Sequence, residues 1–359
     1  MNRINLLLLL LLCITSCNAQ NAHPKIPRTE NSKNNNIRCG IQDKTGDIWF
    51  GTTANGIYQY DGKAFSNYTE KDGIGSNRII ALLQDKDGFI WIGTDTGLAR
   101  YNPHDKTFTR MMLPETRGSN FFVSGKTEAK PIQVWSIMQD KNGKLWFGTY
   151  EDGILCYDGK RFTHFLTDNN VVNKNNLRID AVNDIAQDNA GDIWFATWFE
   201  GLCRYNPSTN TVTNYKPNNE VWYSALLVDK NGILWTDRRS KGAVRYDGKA
   251  FTNVVQHGIM DSSGAAPSIQ DKRGDIWFAA EFGKQTERDD KGGVWRYNPS
   301  TKAFTNYTTA DGLPNMTPMC LVEEKAGNIW VGTRNMGLCR YNPSEEHRAG
   351  AKLFTSFSE

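Results

Sequence analysis

The chain has 359 residues with 42 cations against 39 anions, a net charge of +3, and 32 glycines. The two signs are interspersed, which excludes the basic stripe of a nucleic-acid partner. After the leucine-rich start no apolar stretch approaches the roughly 20 residues a membrane-crossing helix needs.

In chain order, the first signal is an export segment. Arg3 precedes an unbroken leucine run over 6–12, the charged and apolar regions of a secretory signal. Ile14-Thr15-Ser16-Cys17 resembles a lipobox. Residues 1–16 are expected to be removed and Cys17 to become the lipid-modified first residue. Loss of Arg3 lowers the net charge from +3 to +2. Asn18 lacks the aspartate associated with inner-membrane retention, so the expectation is a lipid-anchored envelope protein on the outer membrane, facing the periplasm. Residues 17–36 read as a polar, flexible tether.

Residues 37–359 form a repeat. The phrase Gln42-Asp43-Lys44-Thr45-Gly46-Asp47-Ile48-Trp49 recurs with tryptophans at Trp49, Trp91, Trp146, Trp194, Trp235, Trp277 and Trp330, spaced by 41 to 55 residues. A glycine stands three residues before each, and the acidic position departs from aspartate only at Glu324. Each unit offers four short strands, A to D; in the second unit these are 79–84, 89–94, 98–101 and 108–111. The A–B turn carries glycine where a tight hairpin needs positive φ. Strand A is nearly all apolar, which predicts burial on both faces. One such sheet cannot bury two faces alone, whereas seven arranged radially can. The fold class is therefore all-β, a seven-bladed β-propeller of four-stranded antiparallel blades, with each repeat tryptophan packed between blades. No strand is visibly lent between the termini, so closure is expected to rest on face packing.

This pattern, with Gly97-Leu98-Ala99-Arg100-Tyr101-Asn102 and Asp311-Gly312-Leu313-Pro314-Asn315, resembles the two-component regulator propeller repeat over residues 37–358. Family members are typically periplasmic sensor portions of hybrid histidine kinases, with about twice as many repeats and an immunoglobulin-like segment. Here the resemblance implies extracytoplasmic ligand capture without kinase output, because the chain shows a lipid anchor and no kinase or receiver segment.

A ligand would bind where the D–A connections and B–C loops surround the channel mouth. The fourth residue after each repeat tryptophan reads Thr53, Asp95, Tyr150, Trp198, Arg239, Glu281 and Arg334, an abrupt change of chemistry on a repeated frame. Unconstrained surface loops would vary in the same way. Seven of the eleven tryptophans belong to the repeat; Trp135, Trp198, Trp222 and Trp295 are surplus. Trp295 reads as core. The other three fall toward the mouth in blades three to five, near Tyr150, Phe199 and Tyr223. With Glu151, Glu200, Arg178, Arg238 and Arg239 they would suit stacking on a sugar or another flat ligand. The alternative is that these rings pack the long loops.

Other chemistries find less support. The Asp-x-[Asp/Asn]-Gly turns lack the further oxygen ligands of a calcium loop, and histidine or cysteine pairs at zinc spacing are absent. Streptogramin-type propeller lyases use a histidine base with magnesium at the mouth; His257 lies in a D–A connection but has no evident companion. A disulfide between Cys39 and Cys320 would staple the first and last blades, yet equivalent side chains point the same way around the ring, so free thiols are expected. The reading is a binding or sensing module with no cofactor, taking a glycan, small molecule or envelope protein partner. A lyase or hydrolase at the mouth is the alternative.

Overall fold

The computed structural model describes residues 23–27, 35–116, 131–238, 242–254, 263–282, 292–346, 348 and 352–359; Cys17 and the export signal lie outside these. Seven four-stranded antiparallel sheets follow one another along the chain, each pairing its strands in sequence order. Their A strands are Ile37–Gln42, Ile79–Gln84, Gln133–Gln139, Val182–Gln187, Leu226–Val228, Ser263–Gln270 and Pro318–Glu323. These strands touch one another around the ring, so the fold is a seven-bladed propeller with strand A innermost.

The repeat phrase builds each A–B hairpin. In blade 1 the Gln42 side chain donates to Gly46 O at 2.9 Å, and Asp43 Oδ1 accepts the backbone N–H of Thr45, Gly46 and Asp47. The turn glycines have φ between 81° and 107°, the left-handed region that side chains disfavour. The other aspartate oxygen accepts the indole N–H of the repeat tryptophan six residues on, at 2.7–2.9 Å in six blades. In the seventh, Glu324 does the same for Trp330 at 2.8 Å. The acidic residue thus supplies an acceptor to an indole that is at most 2% exposed, where an unmade hydrogen bond is costly.

Each repeat tryptophan bridges a seam. Trp49 lies 4.9 Å from the Tyr101 ring of blade 2, and Trp330 lies 5.6 Å from the Phe50 ring of blade 1. Seven apolar clusters result among the described residues, one per seam. A second device ties the turns together. At six seams the residue after the acidic position donates its backbone N–H to the residue ending the next A strand: Lys44 to Gln84, Lys86 to Gln139, Lys141 to Gln187, Lys230 to Gln270, Lys272 to Glu323 and Lys325 to Gln42.

Two expectations are corrected. The B strands, such as Ile48–Thr52 and Ile90–Thr94, are buried throughout, whereas the A strands of blades 1 and 2 are only partly buried beyond their first residues. Each B strand is flanked in its sheet by strands A and C, whereas strand A has a sheet neighbour on one side only. Closure is also more than face packing. Ile26, in the segment read as a tether, donates its N–H to Phe357 O at 2.8 Å and forms a parallel bridge with Ser358. Its side chain is fully buried in the cluster holding Phe357, Trp330 and Phe50. The N-terminal segment therefore clasps the outer edge of the last blade.

The described cysteines, Cys39, Cys156, Cys203, Cys320 and Cys339, are all free. Burial pushes the Cys39 and Cys156 thiols up to about 12, which leaves them as packing groups rather than nucleophiles.

Candidate ligand site

A register shift near the start of strand A shapes the mouth. In blade 1 Ile37 pairs with Thr52 and Cys39 with Gly51, leaving Arg38 as the extra residue. The same shift isolates Ile80, Trp135, Asn183 and Met319 in blades 2, 3, 4 and 7. A bulge re-aims the side chain of its extra residue, and this one gives each of these blades an unpaired residue at the mouth end. Beside it lies the variable position after the B strand: Trp198 N donates to Ala181 O, and Arg334 N to Thr317 O. Tyr150 still belongs to its strand, paired with Gln133, rather than to a loop.

Three surplus tryptophans come together. Trp135 stacks on Tyr150 with centroids 4.6 Å apart and planes 11° from parallel. Trp198 meets Trp135 at 5.2 Å and Tyr150 at 5.4 Å, both edge-on. Trp222 approaches Trp198 at 5.1 Å, and Phe199 closes the edge at 6.2 Å. All five rings are half-buried. The cluster spans blades 3, 4 and the lead-in to blade 5. Burial, aided by nearby Glu151, raises the Tyr150 phenol above its ordinary range, keeping it a neutral donor.

Asn183, a residue the repeat pattern did not flag, links these parts. Its Oδ1 accepts the Trp198 indole N–H at 2.7 Å, and its Nδ2 donates to Tyr223 O at 2.7 Å. The available signal was its polarity at a position held by Ile80 and Trp135 in the blades before it.

The other expected site residues divide. Tyr223 is fully buried, its hydroxyl donates to Pro217 O at 3.2 Å, and its ring packs into the seam between blades 4 and 5 rather than facing the mouth with Trp222. Arg178 pairs with Asp180 at 3.0 Å, and its backbone N–H donates to Glu200, which also holds Lys216 at 3.2 Å. Glu151, with φ 73°, borders a separate small cleft with Asp152, His164 and Asp180. Arg334 sits in blade 7, away from the aromatic sector, and begins a short turn against residues 35–36. Arg239, His257 and the side chain of Glu281 lie outside the described residues. Among the described residues no cluster of three or more metal-ligating groups occurs, and no helix is long and apolar enough to cross a membrane.

The architecture defines a class: a seven-bladed repeat propeller, here with a half-buried aromatic cluster on blades 3 to 5. Residues 73–96, 130–151, 176–199 and 312–335 match the family model described as two component regulator propeller. The chain carries the repeats of that family.

No curated protein sequence matches the chain. Among solved structures it is similar to the extracellular domain of BT3049 from B. thetaiotaomicron, assigned to a hybrid two component system. The TM-score is 0.71 at 23% identity, covering 92% of this chain and 43% of that one. The corresponding domain of BT4673 from B. thetaiotaomicron gives 0.67 at 21%, covering 91% and 43%. The present chain thus spans less than half the length of these two structures. Virginiamycin B lyase from Staphylococcus aureus, in a catalytically inactive form with quinupristin, gives 0.65 at 14%, covering 87% and 96%. At these identities the likeness is one of fold.

Proposed function

We propose that this protein is an extracytoplasmic ligand-binding propeller that captures a flat-faced ligand, a glycan or comparable small molecule, on the aromatic sector of blades 3 to 5. It acts as a sensing or recruiting module without catalytic output, held at the outer membrane by lipid on Cys17, with an envelope protein as its second class of partner. One observation carries this reading. Trp135, Tyr150, Trp198 and Trp222 come from positions the repeat frame does not require, yet they converge into one half-buried cluster. Such rings stack on the apolar faces of sugars while polar neighbours set orientation. Likeness to extracellular domains assigned to hybrid two component systems supports the location and the class of role.

Glycan-array and small-molecule thermal-shift screening of the protein tests the binding. Against a ligand found in this way, Trp198→Ala or Trp222→Ala should weaken affinity by about 1–3 kcal/mol while leaving the melting temperature nearly unchanged. A loss of about 3–5 kcal/mol of stability would instead make these rings loop packing, and affinity indifferent to both substitutions would move the site elsewhere. The anchor has its own test: Cys17→Ser should abolish palmitate labelling, and labelling that persists rejects the lipobox.

A further inference from the structure

The seam between blades 4 and 5 departs from the others at three places. Val228 ends the blade 5 A strand where the other blades place Gln42, Gln84, Gln139, Gln187, Gln270 or Glu323, so it offers the preceding turn no side-chain acceptor. Asp237 stands where blades 1, 2, 3 and 7 have glycine. That position is tight elsewhere: a Cβ on Gly93 would lie 2.7 Å from Val134 O, and one on Gly51 2.6 Å from Ile79 Cγ2. Asp184 stands where the A strands of blades 1, 2, 3 and 7 carry Cys39, Ala81, Ser136 and Cys320.

The two carboxylates take over work done elsewhere by sheet pairing. Asp237, itself buried, accepts the backbone N–H of Ser224 at 2.9 Å and of Ala225 at 3.0 Å, and the Ser224 hydroxyl at 2.5 Å. Asp184 accepts the N–H of Leu226 at 2.8 Å across the seam. Three successive amides at the start of blade 5 therefore hang on two acids from different blades. The same lead-in carries Trp222, and Asn183, the neighbour of Asp184, joins Tyr223 O to the Trp198 indole.

We propose that this seam is a proton-operated hinge of the aromatic site, in which the charge on the Asp184–Asp237 pair sets whether the lead-in bearing Trp222 stays docked. This regulation rests on the aromatic sector being the binding site. With one proton on the pair, a single negative charge faces the three amides and the lead-in is held. With the proton gone, two like charges share a poorly solvated seam, and the lead-in moves out to admit water. Although Asp184 as a residue keeps some exposed surface, burial of its carboxyl pushes it up to about 7, against the amides of Leu226 and Ile185 and helped by Asp237. Burial also raises Asp237. Glu220 and Arg238, which follows Asp237 in the chain, are further charged groups at this seam, and both act on Tyr223. An acid raised in the fold binds its proton on folding, so the contribution to stability is present at low pH and is lost as pH rises through about 7.

The experiment follows tryptophan fluorescence and acrylamide quenching of the unliganded full chain from pH 5 to 9, so it is independent of any ligand screen. The native protein should show a step near pH 7 toward greater quenching at high pH. Trp222→Phe should shrink that step. Asp184→Asn should abolish the step, because no charge can develop there, and Asp237→Asn should move the midpoint to lower pH by removing the like charge. If Asp184→Asn does not fold, the Asp237→Asn shift decides. No step in the native protein, a step unchanged in the aspartate variants, or a step removed by His164→Asn would overturn the hinge while leaving the binding reading intact.

Discussion

The acceptor behind each repeat tryptophan can be tested in blade 2. Asp85 is 5% exposed, and its carboxylate accepts the N–H of Asp87 and of Phe89 at 2.9 Å each and the Trp91 indole N–H at 2.7 Å. Asp85→Ala leaves three donors without this acceptor. The two turn amides are part-buried and can recruit water, whereas the Trp91 indole, 1% exposed, cannot. The unsatisfied indole costs about 1–3 kcal/mol and each turn bond exchanged for water about 0.5–1.5 kcal/mol, so the whole change should cost about 2–5 kcal/mol. Asp85→Asn keeps one acceptor but turns an NH2 group toward either the turn amides or the indole, and should cost about 2–3 kcal/mol. Asp85→Glu should cost under about 1.5 kcal/mol, because Glu324 already makes the equivalent bond to Trp330 at 2.8 Å. Urea unfolding of the purified propeller, compared at constant m-value, measures all three. An Asp85→Ala variant within about 1 kcal/mol of the native protein, or a glutamate variant as unstable as the alanine one, would refute this role of Asp85.

Two further outcomes are expected. Burial opposes ionisation of Glu346, but Arg296 at 2.6 Å and Arg273 at 3.2 Å outweigh it and, with the Tyr341 hydroxyl, hold its carboxyl at about 2. Its folded value lies below the ordinary one of 4.5, so this contribution is complete above that pH and is lost as pH falls through about 2, at most about 3 kcal/mol; Glu346→Gln should flatten that acid limb in thermal melts, and an unaltered limb would assign it to other carboxylates. Ile26→Ala should destabilise the closed ring by about 2–4 kcal/mol because the side chain is fully buried against Phe357, and an unchanged melting temperature would show that the clasp is dispensable.

The sequence by itself determined the blades, because their chemistry is local. Asp43 and Trp49, six residues apart, meet within one hairpin, as do Gln42 and Gly46, four apart; such pairs repeat at visible spacing, so strand order and the A–B turns are legible in the residues themselves. The second blade's A strand is found at Ile79–Gln84 as expected. The convergence of Trp135, Tyr150, Trp198 and Trp222 was legible only as a surplus of aromatic residues near one end of neighbouring blades. Tertiary structure decided the rest. The bulge that isolates Trp135 and Asn183 is a matter of strand register, which residue identities do not display. Tyr223 follows Trp222 directly in the chain, yet the fold turns one ring into the core and leaves the other half-buried. The clasp at Ile26 and the carboxylates at the fourth seam depend on contacts between residues of different blades, such as Asp184 with Leu226 and Ile26 with Phe357. A repeat encodes what each blade does to itself. What one blade does to the next is fixed only when the ring closes and unlike partners are pressed together.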